Sequence, residues 1–323
     1  MIRWPLQQRK ITIGSNAWLF KETRGARLFD KIILNSLKAA YIGLRIFTRV
    51  IYRNKGRRDK FYIKNGLYFR DFLYNSVERL GLDNSLLIVF NAPKYSYKFC
   101  SRITRRVQNF LIEDMYASMS SHEDEIVEHF NPKEGDVVVD VGAAFGFYTI
   151  LSSKRVGLNG KVVAIEAQPD SCEMLNQNIK LNRLANVITL NYAAYSKKSK
   201  LRLYDSYSII QERAENNSQK YIEVNANTLD HLLLELVKIT KVNWIKIDVE
   251  GAELEVLKGA VNIISRSKDI SLLIEIHNLA GSNSTLYEPI TQFLSLHNFK
   301  IDFEKTYDSG EKHVIARKQQ QQQ

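Results

Sequence analysis

The sequence predicts a doubly wound α/β domain with a mostly parallel sheet of seven strands, preceded by a basic and mainly helical accessory region. Three observations support this fold class. Beyond residue 120, apolar β-rich runs alternate with helical segments, which is typical of parallel strands joined by crossover helices. Hydrophobic residues make up 45% of the 323-residue chain, enough to fill a large core. Positive charge concentrates in the first 70 residues.

The accessory region is set apart by its charge. Residues 1–70 contain 17 lysines and arginines against three acids, a net charge of +14, so the rest of the chain carries −3 of the total of +11. Such asymmetry indicates an anionic partner, which could be a phosphorylated substrate, a membrane surface or a nucleic acid. A basic solvated face is the alternative explanation.

A basic amphipathic helix is expected at residues 29–52, where Lys31, Lys38 and Arg45 recur every seven residues on one face. With the cationic segment that follows, residues 29–60 are a candidate contact for an anionic membrane surface. Packing against the catalytic domain or a second subunit is the commoner use of such a helix. No nucleic-acid-binding module is recognisable, so nucleic acid is not an expected partner.

The accessory region ends in short elements before a new domain begins. A helix near residues 68–80 and strands at 86–90 and 95–100 are expected there. Ser121 and Asp124 have the spacing of a helix N-cap and mark the start of the next domain. The predicted organisation is an accessory region (1–115), a catalytic domain (116–318) and a disordered glutamine tail (319–323).

The catalytic domain is expected to alternate strands and helices. Its seven strands are predicted at 137–141, 162–166, 187–190, 244–249, 272–277, 299–304 and 312–317. Its helices are predicted at 170–182, 251–265 and 285–297. Two further alternating stretches, 200–204 and 221–224, predict a β insertion before the fourth core strand that could help to wall a substrate pocket.

Several classes of protein are disfavoured. No stretch reaches the roughly 18 apolar residues of a spanning helix, and the first residues lack the apolar run of a secretory signal. We therefore expect a cytoplasmic protein, with peripheral membrane contact left open. Cys100 and Cys172 lie far apart and without the spacing of a zinc site or disulfide framework, so two free thiols are expected.

The loop after the first predicted strand carries a ligand-binding signal. The strand delivers Asp140 to its carboxyl end, where Gly142 and Gly146 permit a tight turn and a close approach of the backbone to a ligand. Residues 143–145 fill the loop, so its spacing differs from the Gly-x-Gly-x-x-Gly pattern that holds a dinucleotide pyrophosphate. A cofactor without phosphates is favoured over the nicotinamide dinucleotide of an oxidoreductase.

The second predicted strand ends in Glu166, where a carboxylate can accept both hydroxyl groups of a ribose. On its own this acid would also suit a nicotinamide dinucleotide. The presence of both this acid and the glycine loop at Gly142 favours a nucleoside-binding site.

Five segments resemble, in order, the motifs of the FkbM family of methyltransferases: VDVGAAFGFYT (139–149), AIEAQP (164–169), NVITLNYAA (186–194), WIKIDVEGAE (244–253) and LIEIH (273–277). The resemblance covers residues 120–317 and implies a Rossmann-like class I methyltransferase that uses S-adenosylmethionine. It implies that the first motif surrounds the methionine part, the second binds ribose and the third approaches adenine. The implied cofactor residues are Asp140, Gly142, Ala143, Gly146, Thr149, Glu166, Asn191, Tyr192 and Ala193.

One position departs from the family pattern. Many relatives carry asparagine where this chain has Ala144, so a side-chain hydrogen bond to the cofactor is not expected there. Backbone groups are expected to hold the cofactor at this point of the loop.

The acceptor side is predicted at the ends of the fourth and fifth strands. Asp248 and Glu250 follow the fourth strand, beside the expected methyl group, where carboxylates can position or deprotonate an acceptor. His277 ends the next strand and is a candidate base or a holder of the acceptor hydroxyl; a structural histidine is the alternative. Asp248, Glu250 and His277 are the expected catalytic residues.

A metal ion is not expected, although Asp248, Glu275, His277 and Asn278 could supply ligands to Mg²⁺ as in some catechol-type methyltransferases. Nothing in the sequence fixes a coordination geometry.

The acceptor is expected to be an oxygen atom. No Asn-Pro-Pro-Tyr-like tetrad follows the fourth strand, and neither cysteine lies in the strand-end cluster, which disfavours methylation of base nitrogen or cytosine carbon. The resemblance implies a hydroxyl on a sugar, glycan, lipid-linked intermediate or specialised metabolite. RNA methylation through the basic region and a non-catalytic membrane-associated module of the same fold are the alternatives.

Overall fold

The computed structural model describes residues 19–22, 86–92, 97–102, 123–204, 210–211, 221–277, 286–307 and 310–319. The chain divides into two units between Asp124 and Glu125. The predicted domain boundary at residue 115, the helices at 29–52 and 68–80 and the surface at 29–60 lie outside the described residues and stay predictions. So do residues 320–323 of the glutamine tail.

The described part of the first unit is a three-stranded antiparallel sheet. Its strands are β1 (Leu19–Glu22), β2 (Leu86–Ala92) and β3 (Tyr97–Arg102), in that order. The pairing of β2 with β3 confirms the two strands predicted around a turn in this region.

The second unit contains eleven further strands among its described residues. They are β4 (Val137–Val141), β5 (Lys161–Ile165), β6 (Val187–Leu190), β7 (Ala193–Ala194), β8 (Ser199–Tyr204), β9 (Ile210–Gln211), β10 (Tyr221–Asn227), β11 (Trp244–Ile247), β12 (Ser271–Ile276), β13 (Phe299–Thr306) and β14 (Lys312–Lys318). The helices are α1 (Glu123–His129), α2 (Phe147–Val156), α3 (Pro169–Leu181), α4 (Glu253–Lys258), α5 (Val261–Arg266) and α6 (Tyr287–Leu296), with a π-helix at His231–Val237.

Seven of these strands form the main sheet, in the order β13-β14-β12-β11-β4-β5-β6. All neighbouring pairs from β12 to β6 are parallel, whereas β14 is antiparallel to both β12 and β13. The chain leaves β4 in one direction to form β5 and β6, and later returns to its other side to form β11. This reversal creates a switch point between β4 and β11, where ligands of open α/β sheets bind. The predicted fold class is confirmed.

Helices cover both faces of the main sheet. Val163 and Ile165 belong to a large buried cluster that also takes in residues of α4, α5, α6 and the π-helix. Ala164 lies between them in β5 and instead packs with Leu175 and Ile179 of α3. Because successive strand residues face opposite sides, these two clusters lie on opposite faces. Strands buried on both faces explain the continuous apolar runs of the sequence.

The predicted β insertion is present and is larger than expected. A second sheet has the order β7-β10-β8-β9, with β10 parallel to β7 and antiparallel to β8. Its short strand β7 follows the carboxyl end of β6 after two residues, so the insertion starts at the edge of the main sheet where ligands bind.

Among the described residues, no helix is both long and apolar enough to cross a membrane.

One predicted element was wrong. The single helix expected at 251–265 is two short helices, α4 and α5, separated at Gly259 and Ala260. A Cβ atom on Gly259 would lie 2.1 Å from the carbonyl oxygen of Tyr195. The backbone after β7 therefore passes so close to this point that only glycine fits.

The close approach at Gly259 predicts the effect of adding one methyl group. Gly259→Ala should lower the free energy of unfolding by about 1–3 kcal/mol, because the backbone of Tyr195 cannot move away cheaply. Gly135→Ala is the comparison: Gly135 has a φ of 85°, but a Cβ atom there would meet open space, with no other part of the fold within 4 Å. Gly135→Ala should lower the free energy of unfolding by about 1 kcal/mol or less, because only backbone strain opposes it. Urea unfolding measures both, and equal stability of Gly259→Ala and the parent chain would contradict the contact.

Candidate active site

The loop after β4 is held tightly against the two neighbouring strands. The amides of Gly142 and Ala143 donate to the carbonyl oxygen of Ile165 at 2.9 and 3.0 Å. Gly142 has a φ of 74°, and a Cβ atom there would lie 1.7 Å from the carbonyl oxygen of Asp248. The loop therefore touches the end of β11, and glycine is required at this position.

The far end of the loop is fixed by α3. Gly146 precedes α2 with a φ of 94°, a conformation that favours glycine. The side-chain amide of Asn178 donates to the carbonyl oxygen of Phe145 at 2.9 Å, and Asn178 is fully buried. Ala143 and Phe145 are also buried, so the loop presents backbone more than side chain.

Asp140 lies beneath this loop. It is 1% exposed, and its Oδ2 accepts a hydrogen bond of 2.6 Å from the hydroxyl of Thr149. Burial raises the pKa of the Asp140 carboxyl, while the nearby charge of Lys246 lowers it. Thr149 is fully buried, so its hydroxyl supports Asp140 instead of facing the open edge of the sheet.

Lys246 is the residue that joins the two sides of the site. Its ammonium donates to Oδ2 of Asp248 at 2.9 Å and to the carbonyl oxygen of Gly142 at 3.2 Å. It also lies 3.7 Å from Oδ1 of Asp140. Burial lowers the pKa of this buried lysine, but the charges of Asp248 and Asp140 outweigh burial and raise it above its ordinary value.

Lys246 was not among the residues predicted from the sequence. A usable signal was present, because a lysine flanked by Trp244, Ile245 and Ile247 in a central strand is seldom buried without a charged partner.

Glu166 follows β5 and faces the loop, as the sequence predicted. Its Oε2 accepts a hydrogen bond of 2.7 Å from the amide of Ala144, and its Oε1 accepts one of 2.9 Å from the amide of Gln168. Burial raises the pKa of Glu166 to about 7, although both hydrogen bonds oppose that rise. The protonation of this acid is therefore expected to change near neutral pH.

The three residues expected at adenine differ in their surroundings. Asn191 is exposed, and its side-chain amide donates to the carbonyl oxygen of Glu166 at 2.8 Å. Tyr192 is half-buried against the large core cluster. Ala193 is buried and packs with Leu201 and other residues of the insertion sheet. Asn191 is therefore hydrogen-bonded to the turn at Glu166, whereas Ala193 packs in the core of the insertion sheet.

The structure brings together the three expected catalytic residues. Nε2 of His277 lies 3.4 Å from Oε2 of Glu250 and 3.9 Å from Oδ1 of Asp248. Glu250 reaches the imidazole from a left-handed turn, with a φ of 55° that is followed by Gly251 at 105°. A strained backbone of this kind is typical of functional sites.

Two further acids complete the surroundings of His277. Nδ1 of His277 is hydrogen-bonded to Oε1 of the fully buried Glu253 at 2.8 Å. Nε2 lies 3.8 Å from Oε1 of Glu275, whose Oε2 is 3.0 Å from Nε2 of His313. Glu253 and His313 were given no role from the sequence, because one looks like an ordinary first-turn acid of a helix and the other belongs to a distant strand.

These charges act on the protonation of the cluster. Burial lowers the pKa of His277, but the hydrogen bond with Glu253 and the charges of Asp248 and Glu250 raise it to about 10. Burial raises the pKa of Glu250 to about 7, against the charge of His277. Burial also acts to raise the pKa of Glu275, yet the hydrogen bond and charge of His313 bring it down to about 2. With no further cation present, His277 is charged at neutral pH and can donate a hydrogen bond to an acceptor oxygen.

The same cluster offers ligand atoms for a cation. One atom each from Asp248, Glu250 and His277 can be chosen so that all three lie within 4.8 Å of one another. The metal candidates weighed from sequence were Asp248, Glu275 and His277, with Asn278, which lies outside the described residues. The arrangement thus has the loop after β4 on one side of Lys246 and an acid–imidazole cluster on the other.

The sheet order is that expected of Rossmann-like methyltransferases that depend on S-adenosylmethionine. Residues 140–301 match the model of the methyltransferase FkbM domain, which is half of the chain. The chain belongs to the FkbM methyltransferase family, and the resemblance drawn from sequence is confirmed.

Similar proteins include the hexuronic acid methyltransferase AglP of Haloferax volcanii, 29% identical over 191 residues that make up 58% of this chain and 72% of that protein. Among solved structures, the FkbM methyltransferase of Methylobacillus flagellatus is 16% identical, with a TM-score of 0.41 over 65% of this chain and 55% of that one. A methyltransferase of Aquifex aeolicus is 18% identical, with a TM-score of 0.36 over 60% of this chain and 88% of that one.

Proposed function

We propose that the chain transfers a methyl group from S-adenosylmethionine to a hydroxyl oxygen of a sugar, in a glycan or lipid-linked intermediate that contains a hexuronic acid. The observation that carries the proposal is the position of the acid–imidazole cluster. Lys246 binds both Gly142 of the cofactor loop and Asp248 of the cluster, so proton-handling groups lie directly beside that loop. The hexuronic acid for which AglP is named supports the sugar class.

The residues around the loop fit S-adenosylmethionine. Glu166 offers carboxylate oxygens to the hydroxyls of a ribose, and the loop at 142–146 contains no cation for a phosphate. Oδ1 of the buried Asp140 has no hydrogen-bond partner among the described residues and is paired with Lys246 only at 3.7 Å, so a carboxyl group lies beneath the loop. A cationic, phosphate-free cofactor matches this donor set.

We assign the cofactor residues in two groups. Glu166 and the loop backbone at Gly142, Ala143 and Gly146 would contact the cofactor. Asn191 and Tyr192 would lie beside its adenine. Asp140, Thr149 and Ala193 would support the pocket from the interior, since their side chains are buried.

Methyl transfer places modest demands on the protein. S-adenosylmethionine supplies a methyl group that is already activated by its sulfonium, so the acceptor oxygen displaces a neutral thioether. The chain must align the acceptor, keep water out and remove the hydroxyl proton. His277 would hold the acceptor oxygen, and the carboxylates of Asp248 and Glu250 would receive its proton.

The chemistry of the strand end favours oxygen over nitrogen as the acceptor. β11 is followed by Asp248 and Glu250, where amino-group methyltransferases on bases carry a tetrad that holds a planar nitrogen. Acids at this position suit a hydroxyl, which must lose its proton as the new carbon–oxygen bond forms.

The ionisation of Glu166 predicts a pH dependence of cofactor binding. Ribose hydroxyls need the ionised carboxylate, and the pKa of Glu166 in the free protein is about 7. The affinity for S-adenosylhomocysteine should therefore be constant above pH 7 and fall about tenfold per pH unit below it. Glu166→Gln should bind at least about tenfold more weakly at pH 8, because it loses charge-assisted hydrogen bonds, and should show no such fall.

Calorimetric titration from about pH 5.5 to 8, a range that brackets this pKa, measures both chains. Glu235→Gln is the matched control, because Glu235 is an exposed carboxylate whose ion-pair partner, Lys238, is equally exposed. Parallel pH profiles for the parent chain and Glu166→Gln would contradict the assignment.

The acceptor class is tested with labelled S-adenosylmethionine and glycosides of hexuronic acids. We expect label in a methyl ether that survives mild base, since a hydroxyl is the proposed acceptor. Glu250→Gln should lower kcat about 10²-fold or more by removing a proton acceptor, with the affinity for S-adenosylhomocysteine little changed. Glu235→Gln should retain full turnover. Base-labile label would indicate methylation of the carboxyl group, and label in RNA would indicate an RNA methyltransferase; either would overturn the proposal.

A further inference from the structure

His277 lies inside a network of charges that is not balanced. The network is joined by ion pairs of 2.8–3.9 Å and comprises Asp140, Lys246, Asp248, Glu250, Glu253, Glu275, His277 and His313. It holds five carboxyl groups and three cationic side chains, so its formal charge is −2 even if both histidines are protonated. Two of the five carboxyl groups are buried and three are half-buried, so this excess of negative charge is relieved either by protonation of a carboxyl group or by a further cation.

The distances around Nε2 of His277 indicate where that cation would lie. Nε2 is 3.4 Å from Glu250 and 3.9 Å from Asp248, and neither separation is a good hydrogen bond. Metal bonds of about 2.1–2.4 Å at angles of about 90–109° put two ligand atoms about 3.0–3.9 Å apart. Both separations from Nε2 fall in this range, and the ligand atoms of all three residues lie within 4.8 Å of one another.

The other atoms of the same residues are already engaged, which leaves the inner atoms for the ion. Lys246 holds Oδ2 of Asp248, so Oδ1 is the oxygen that faces His277. Glu253 holds Nδ1 of His277 and thereby fixes the ring with Nε2 toward the acids. A carboxylate behind a ligating histidine is the usual arrangement in metal sites.

Glu253 provides an independent indication. It is fully buried, and its Oε1 accepts hydrogen bonds from Nδ1 of His277 and the amide of Gly251. Its Oε2 is buried and has no hydrogen-bond partner among the described residues. Such a buried anion is costly unless the imidazole that it contacts carries or binds positive charge.

We propose that Asp248, Glu250 and His277 bind one divalent cation, of the Mg²⁺ or Mn²⁺ kind, beside the cofactor loop. Two carboxylate oxygens and one imidazole nitrogen, with water completing the shell, suit these ions. The three residues whose ligand atoms all lie within 4.8 Å of one another are Asp248, Glu250 and His277. Glu275, the third ligand weighed from sequence, has Oε1 3.8 Å from Nε2 of His277 but is not part of that group, and its Oε2 lies 3.0 Å from His313. This proposal departs from the expectation drawn from the sequence, in which a divalent metal was possible but not expected.

The cation deepens the proposed methyl transfer, on which its catalytic role rests. With the ion bound, Nε2 of His277 would be deprotonated and would ligate the ion instead of holding the acceptor oxygen itself. The ion would then coordinate the acceptor hydroxyl, lower the pKa of that hydroxyl and offset the repulsion between the acidic cluster and a hexuronic acid. Its binding to the protein does not depend on the acceptor.

Titration of the purified full chain with Mn²⁺, followed by the electron paramagnetic resonance signal of free Mn²⁺, tests the site. We expect one bound ion per chain, displaced by Mg²⁺. Glu250→Gln and Asp248→Asn should each weaken binding at least about tenfold, and Glu253→Gln should weaken it about 10–100-fold through His277. Glu275→Gln and the surface control Glu235→Gln should bind Mn²⁺ nearly as the parent chain does. Binding of S-adenosylhomocysteine by each variant confirms that it is folded.

The opposite results are equally clear. No Mn²⁺ binding by the parent chain up to about 1 mM would overturn the site. Loss of binding in Glu275→Gln but not in Glu250→Gln would overturn the ligand set. If hydroxyl methylation persists in excess chelator and no Mn²⁺ binds, the metal site is wrong and the proposed methyl transfer stands. If Mn²⁺ binds but no sugar hydroxyl is methylated, the metal site stands and the proposed function is wrong.

Discussion

The buried ammonium of Lys246 is the interaction on which the rest of the site depends. It lies at the switch point of the sheet, within 4 Å of Asp140 on β4 and Asp248 after β11, and it binds the carbonyl oxygen of Gly142. Charges in a protein interior are stable only when paired and hydrogen-bonded. This one lysine therefore joins the start of the loop after β4 to the first acid after β11.

The two sides of the site are built in different ways. The proposed cofactor side is mostly backbone, a loop that Ile165 and Asn178 hold in place and that presents few side chains of its own. The acceptor side is mostly side chain, with carboxylates gathered around His277. A backbone pocket suits a cofactor that is the same in every turnover. A cluster of charges suits an acceptor that must be aligned and deprotonated.

Much of the fold followed from local pattern. Continuous apolar runs predicted the buried strands, and their alternation with helices predicted the doubly wound sheet, because both features depend on neighbours in the chain. The break between α4 and α5 did not follow, since it depends on Tyr195, which is distant in sequence from Gly259. Periodicity cannot reveal a contact of that kind.

The same distinction applies to the site. Asp140, Glu166, Asp248, Glu250 and His277 were predicted because each ends or follows a strand at the binding edge. Glu253 and His313 were missed because their importance comes from partners on other elements, 24 and 38 residues away in the chain. Thr149 was expected to contact the cofactor, and the structure shows that its hydroxyl is used by Asp140.

The most direct test of this account is a double-mutant cycle on the free energy of unfolding, with Lys246→Met and Asp248→Asn singly and together. Lys246→Met leaves Asp248 and Asp140 without this cation, Asp248→Asn removes one of the two carboxylates that pair with Lys246, and the double change removes the Lys246–Asp248 pair. If Lys246 holds the two sides together, the two effects should be non-additive by at least about 1 kcal/mol. Additivity within about 0.5 kcal/mol would contradict the central role of Lys246.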